Sequence, residues 1–424
     1  MAFGTNFASL CSQAIAAKFA ALAFKEPVMR IVRVFALMLA ANAAQAQAIL
    51  PGEGLTAAQT RLAAIEAPSA DDRFALGAIG FLRGIEKSLQ FRWQHNMAIK
   101  DFDMPVLRLP VPPNPDAAPF TPDLIVQLFE TLRDDMAISQ AALDTVAGAE
   151  VSVELDLASI WFDINMNNSR DRGEGMVEFG ITTIMSRQLA LAFLDQPQTK
   201  ILVRFDTADV AWLNAYTHLL SGLSELVIAF DPTEAIAKVM TANQQMTDLM
   251  AGTPPANQYN MIGGNWVDRF AMVYGALNQQ PLPENTRAAR SHFLEMIRQN
   301  KAFWTAVALE TDNTYEWIPN KNQTAALGFE LPEGAAETWQ AVLNDAEMLL
   351  RGELLVSFWR VEPVGGVNIK ALFENPPVVD IVDWVQGAGL IPYIERGPVA
   401  SSRNIRLFER MFSGDAVLFA LLFN

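Results

Sequence analysis

Asp209-Val210-Ala211-Trp212-Leu213-Asn214-Ala215-Tyr216-Thr217-His218-Leu219-Leu220-Ser221-Gly222-Leu223-Ser224-Glu225-Leu226-Val227-Ile228-Ala229-Phe230 decides the fold class. Trp212, Tyr216, Leu219, Leu220, Leu223, Leu226, Val227 and Phe230 distribute over most sides of a helix. A helix that is apolar nearly all round belongs in a core, covered by other elements. Asn214, His218, Ser221 and Glu225 stand at i, i+4, i+7 and i+11 and share one stripe. The plain reading makes that stripe the solvated face, with His218 on the less apolar side and not catalytic. The sharper reading is an internal imidazole and carboxylate suited to proton transfer. His218 and Glu225 are two turns apart, so it needs Ser221 or a second helix between them.

Helical patterns recur on both sides of this segment. Ser69-Ala70-Asp71-Asp72 opens an amphipathic stretch to about Ile99, with Phe74, Ile79, Leu82, Ile85 and Leu89 on one broad face. Prolines at 105, 110, 112, 113, 115, 119 and 122 make 104–122 an extended surface connection. Thr121-Pro122-Asp123 reads as a cap with proline at the first helical position. That helix carries Leu124, Leu128, Leu132 and Met136 inward. Further helices are expected from Asp206, from the capping signal Asp231-Pro232-Thr233-Glu234, and near 266–277, 286–309, 335–351 and 377–385. Gly365-Gly366 and Gly387-Ala388-Gly389 read as loop breaks. Val151–Leu157 alternates with period two, and Ile201–Phe205 does so more weakly; the two are expected to pair. No repeat of 30 to 45 residues marks a solenoid. The fold class is mainly α: a multi-helix globular fold with one small β element.

Composition and charge narrow the function. Of 424 residues, 51% are hydrophobic and 18% charged, which suits a chain with a sizeable core. The net charge of -16 argues against nucleic acid and against an anionic membrane surface as partners. Met29-Arg30-Ile31-Val32-Arg33, the apolar run Val34–Ala41 and Ala44-Gln45-Ala46 have the layout of a secretory signal peptide. Residues 1–28 then read as an upstream extension, 29–46 as the signal, and Gln47 as the mature terminus. Removing 1–46 takes four basic residues and one acidic residue, leaving -19. It also removes Cys11, the only cysteine, so no disulfide is expected. No stretch of 18 apolar residues follows, so no transmembrane span is expected. The expected location is periplasmic or secreted. Residues 47–424 read as a single mainly α domain, with 47–250 and 257–424 as possible lobes about the boundary Gly252-Thr253-Pro254-Pro255.

The most specific chemistry lies in Asp163-Ile164-Asn165-Met166-Asn167-Asn168-Ser169-Arg170-Asp171-Arg172-Gly173-Glu174. Oxygen-bearing side chains occupy places one, three, five and nine, and a glutamate closes place twelve. These twelve residues resemble the calcium loop of an EF-hand. The resemblance implies one structural Ca2+, with Asp163, Asn165 and Asn167 as direct ligands, Ser169 through its carbonyl and Asp171 directly or through water. Glu174 would chelate with both oxygens. Asn168 stands where the pattern wants glycine, and asparagine is the next most tolerant of a positive φ. Arg170 stands at the eighth place, where the pattern has an aliphatic residue. Ile160-Trp161-Phe162 before the loop is strand-like, so the likeness covers the loop and not a helix-loop-helix. The plain reading is a polar turn.

Residues 312–323, Asp-Asn-Thr-Tyr-Glu-Trp-Ile-Pro-Asn-Lys-Asn-Gln, form a third candidate. Tyr315 and Trp317 among polar residues could grip a sugar or peptide, or simply make a turn. No G-x-S-x-G, S-x-x-K, H-E-x-x-H, P-loop or G-x-G-x-x-G occurs. With no cysteine after the expected signal and only His95, His218 and His292, a zinc or iron centre is not expected. The reading that results is an exported soluble protein that binds one calcium ion and an unknown protein or small-molecule ligand. The alternative is a periplasmic hydrolase acting through carboxylates.

Overall fold

The computed structural model describes residues 52–97, 106–107, 109–146, 148–178, 200–251, 264–328, 330–412 and 420. The segments 1–28 and 29–46 and the Gly252–Pro255 boundary lie outside these residues. Thirteen helical segments against five short strands among the described residues make the fold mainly α. No described helix is long and apolar enough to cross a membrane.

The scaffold is built from four long helices. α1 (Leu55–Ala63) lies on α2 (Ala70–Gln94), whose start is fixed by a reciprocal capping box between Ser69 and Asp72. α3 (Leu124–Asp144) packs along α2. It begins two residues later than the proline signal suggests, with Asp123 rather than Thr121 at the cap. β1 (Ser152–Asp156) and β2 (Leu202–Asp206) pair antiparallel, Leu155 opposite Val203, as their alternation predicts. β2 runs directly into α4 (Thr207–Ala229), where Asp206 and Asp209 form a second capping box. α4 packs against α3 on one side and α7 (Pro283–Val307) on another, and its pairing with α7 is the most extensive between helices among the described residues. Between them, α5 (Thr233–Leu249) and α6 (Gly264–Leu277) pack on each other.

The second half adds α8 (Ala335–Arg351), β3 (Val356–Ser357), β4 (Gly365–Val367), α9 (Ile369–Glu374), α10 (Ile381–Gln386), β5 (Ile394–Arg396) and α11 (Arg403–Met411). Two sequence expectations need correction here. Gly365-Gly366 is the centre of a three-stranded sheet, not a loop. A side chain at either position would run into the Glu395 or Val356 carbonyl, so glycine here permits close strand approach. The helix expected over 377–385 is only the six residues of α10, because Asp380 caps it late and Gly387, at φ 108°, ends it.

The core is continuous through α4. Phe74, Val153, Leu155, Val203, Phe205 and Leu213 cluster under the β1–β2 pair. Leu128, Leu132, Met136, Leu220 and Ile228 fill the α3–α4 contact. Ala208 joins Phe303, Trp304, Ile318, Trp339 and Phe408 in a third cluster.

The orientation of α4 overturns the expectation for its polar stripe. Asn214, Ser221 and Glu225 are buried, while Trp212, Tyr216, Leu219 and Leu226 are only half-buried. The neighbouring helices supply the polar partners that make this possible. Asn214 Nδ2 donates to Asp144 Oδ1 at 3.1 Å, and Gln140 Nε2 to Ser221 Oγ at 3.1 Å. Glu225 accepts from Asn285 Nδ2 at 2.5 Å and lies 3.7 Å from Arg133 Nη1. The stripe is a satisfied internal seam rather than a solvated face.

Candidate metal centre

The loop at 163–174 is held between two paired ends. Phe162 N donates to the Glu174 carbonyl at 2.8 Å and Met176 N to the Ile160 carbonyl at 2.8 Å, with a bridge between Trp161 and Gly175. Ile160, Trp161, Phe162 and Ile164 are buried and anchor the entry. The strand-like reading of Ile160-Trp161-Phe162 therefore describes the local geometry.

Every candidate ligand except Ser169 uses its side chain inside the loop. Asp163 accepts from Asn167 N through Oδ1 and from Asn168 N through Oδ2, each at 3.0 Å. Asn165 Oδ1 accepts from Asn167 N at 3.1 Å, and Asn167 Oδ1 from Ser169 N at 2.8 Å. The Nδ2 atoms of Asn165 and Asn167 converge on Asp171 Oδ2 at 2.7 and 2.8 Å. Glu174 is 4% exposed; its Oε1 accepts from Ile164 N at 2.9 Å and its Oε2 from Asp171 N at 2.8 Å. Burial pushes its carboxyl pKa up and the Asp171 and Asp163 charges add to this, against the two N–H bonds that lower it. Met166 and Asn168 have positive φ, 59° and 58°, so Asn168 takes the backbone form its place requires. Arg170 turns out of the loop to the Ala158 carbonyl and Glu178.

Helix α2 grips the loop entry. Glu86, 1% exposed, accepts from Asp163 N at 2.8 Å, and Gln90 Nε2 donates to the Asp163 carbonyl at 2.8 Å. One turn on, Gln94 Nε2 reaches Met166 Sδ at 3.3 Å. Glu86, Gln90 and Gln94 are spaced by four, so one face of α2 fixes three contacts of the loop. Sequence reasoning missed these residues, since that spacing within an amphipathic helix reads only as its polar side.

A second set of oxygens was not legible at all. Among the described residues, Asp206, Glu310 and Glu316 form the set of three whose ligand atoms all lie within 4.8 Å of one another. Asp163, Asp171 and Glu174 do not form such a set, because their oxygens are turned toward loop N–H groups. Asp206 caps α4, Glu310 follows α7, and Glu316 joins β2 through a bridge to Arg204. Arg204 pairs with Asp312 and, at 3.4 Å, with Glu316. Burial, reinforced by Asp206 and Glu316, pushes the Glu310 carboxyl up to about 7. Burial and then Asp206 push Asp209 well above the carboxylate range. Such a group can share protons or take up a cation.

The 312–323 segment is largely structural. Glu316, Ile318 and Pro319 are buried, and Trp317 packs on Phe205 and Trp212 rather than standing free to grip a ligand. Tyr315 is 41% exposed. Open cavities of about 560 and 650 Å³ lie at Trp93, His95, Asn114 and Asp116 and at Gln59, Leu76 and Ile138; together their linings hold one carboxylate, Asp116. No family model, curated protein or solved structure matches the chain.

Proposed function

We propose that this chain is an exported protein that binds one calcium ion in the 163–174 loop for structure and presents a surface to a protein or small-molecule ligand. The observation that carries the reading is the folded loop. Asp163, Asn165, Asn167, Asp171 and Glu174 already form one interlinked set, with positive φ at the sixth place. Calcium would replace loop N–H groups as the partner of these oxygens, and the Asn165 and Asn167 amides would turn their oxygens inward.

With only Asp163, Asp171 and Glu174 charged, the expected dissociation constant is on the order of 10⁻⁴ M, the range of extracellular modules. At about 1 mM calcium this stabilises the fold by about 1.4 kcal/mol. For a chain of this length that is about 2 °C in melting temperature. The test is thermal unfolding with calcium and with chelator in wild type, Glu174→Gln and Glu310→Gln. Loss of the shift in Glu174→Gln alone supports the loop. Loss in Glu310→Gln alone moves the ion to the second cluster, and no shift in wild type removes calcium.

A second reading, a hydrolase acting through carboxylates, draws support from Glu310, poised near neutrality beside Asp206. A panel of chromogenic glycosides and esters tests it: no turnover by wild type, or equal turnover by Glu310→Gln, removes it.

A further inference from the structure

The internal seam contains a contact that neither reading uses. His218 on α4 and His292 on α7 meet Nδ1 to Nδ1 at 2.9 Å. An imidazole nitrogen lies about 1.15 Å from its ring centre, so rings aimed straight at each other across this gap have centres about 5.2 Å apart. The centres are 5.2 Å apart. The nitrogens therefore point head-on, the alignment of an N–H···N hydrogen bond. Two imidazoles sharing a metal ion are aligned differently: bonds of about 2.0–2.1 Å make their lone pairs converge off the line between them.

One Nδ1 donates its proton and the other accepts with its lone pair. A first added proton charges the donor ring and leaves the bond intact. A second places N–H against N–H and cation against cation. The charged neighbours come from all three helices: Glu225 on α4, Glu295 and Arg298 on α7, and Asp144 and Arg133 on α3. Each carboxylate already has its own partner, Glu225 with Asn285, Glu295 with Arg298 and Asp144 with Asn214. Burial holds both rings below the ordinary histidine value, His218 at about 4.

We infer that the His218–His292 pair is an acid-released latch, closing α4 on α7 while it carries at most one added proton and parting them when both rings are charged. The folded pKa values lie below the unfolded one, so the latch contributes fully above about pH 6.5 and its contribution is lost as pH falls toward 4. Because α4 and α7 share the most extensive helix pairing among the described residues, release would loosen the seam along both helices.

Two measurements on the full chain test this. The first is histidine 15N NMR between pH 8 and 4. The latch requires at least one of the two rings to remain neutral in the folded protein at pH 6, and titration of both rings near 6.5 overturns it. The second compares urea unfolding across the same range in wild type and in the His218→Gln/His292→Gln variant, whose amides can pair but do not titrate. Wild type should lose stability below pH 6.5 with a slope one to two protons steeper than the variant, and hydrogen exchange at 213–222 and 289–296, taken relative to the intrinsic rate at each pH, should accelerate at least tenfold in wild type alone. Parallel stability curves overturn the latch. If the variant does not fold, the NMR titration decides by itself.

Discussion

Replacing Arg92 by leucine is expected to destabilise the fold by about 3 kcal/mol, although it removes a buried charge. Arg92 is 0% exposed and donates to three carbonyls: Met97 at 3.3 Å through Nε, and Val106 at 2.7 Å and Leu109 at 2.8 Å through Nη1. Three bonds from a charged donor contribute about 1.5–3 kcal/mol each, or about 4.5–9 kcal/mol together. Burial lowers the guanidinium pKa from 12.5 to about 10. That shift corresponds to roughly 3 kcal/mol of desolvation, which the leucine variant recovers. The difference is about 1–6 kcal/mol, and the bonds win. Arg92→Lys should be no better than leucine. Its ammonium is more strongly hydrated and lacks the fork that reaches separate carbonyls. Urea unfolding at pH 7 reads the effect as a midpoint lowered by about 1 M at unchanged slope. A leucine midpoint within about 0.3 M of wild type, or full stability in the lysine variant, would refute the reasoning.

Three smaller expectations follow from individual contacts. Ser224 is 0% exposed and its hydroxyl has no partner among the described residues, so Ser224→Ala should raise stability by about 1 kcal/mol, and a loss by calorimetry would count against it. A methyl at Gly222 would meet the Phe293 ring at 2.6 Å, so Gly222→Ala should lose about 1–2 kcal/mol of stability despite its better helix propensity, and a gain in melting temperature would show that the ring yields. The half-buried Glu310 has a folded pKa of about 7, above its unfolded 4.5, so it binds protons better folded and its contribution to stability falls as pH rises from 4.5 to 7. Glu310→Gln should therefore gain about 1 kcal/mol at pH 7.5 after allowance for solvent screening, and parallel pH profiles for the two proteins would exclude it.

Local chemistry determined the elements. Ser69 and Asp72, and Asp206 and Asp209, cap their own helices through contacts three residues apart, so the starts of α2 and α4 are readable without a third dimension. The period-two pattern at 151–157 found β1 for the same reason. The 163–174 segment stood out as a candidate on the same terms, because its oxygen-bearing residues and their spacing lie within twelve residues. Only the tertiary structure decided which way α4 faces. Its apolar residues go nearly all round, so the direction was set by polar partners on α3 and α7: Asp144, Gln140, Asn285 and His292. The same holds for Asp206, Glu310 and Glu316, which the chain brings together across about a hundred residues. A buried polar group is stable only beside its partner, and when that partner lies on another helix, no pattern along the chain records it.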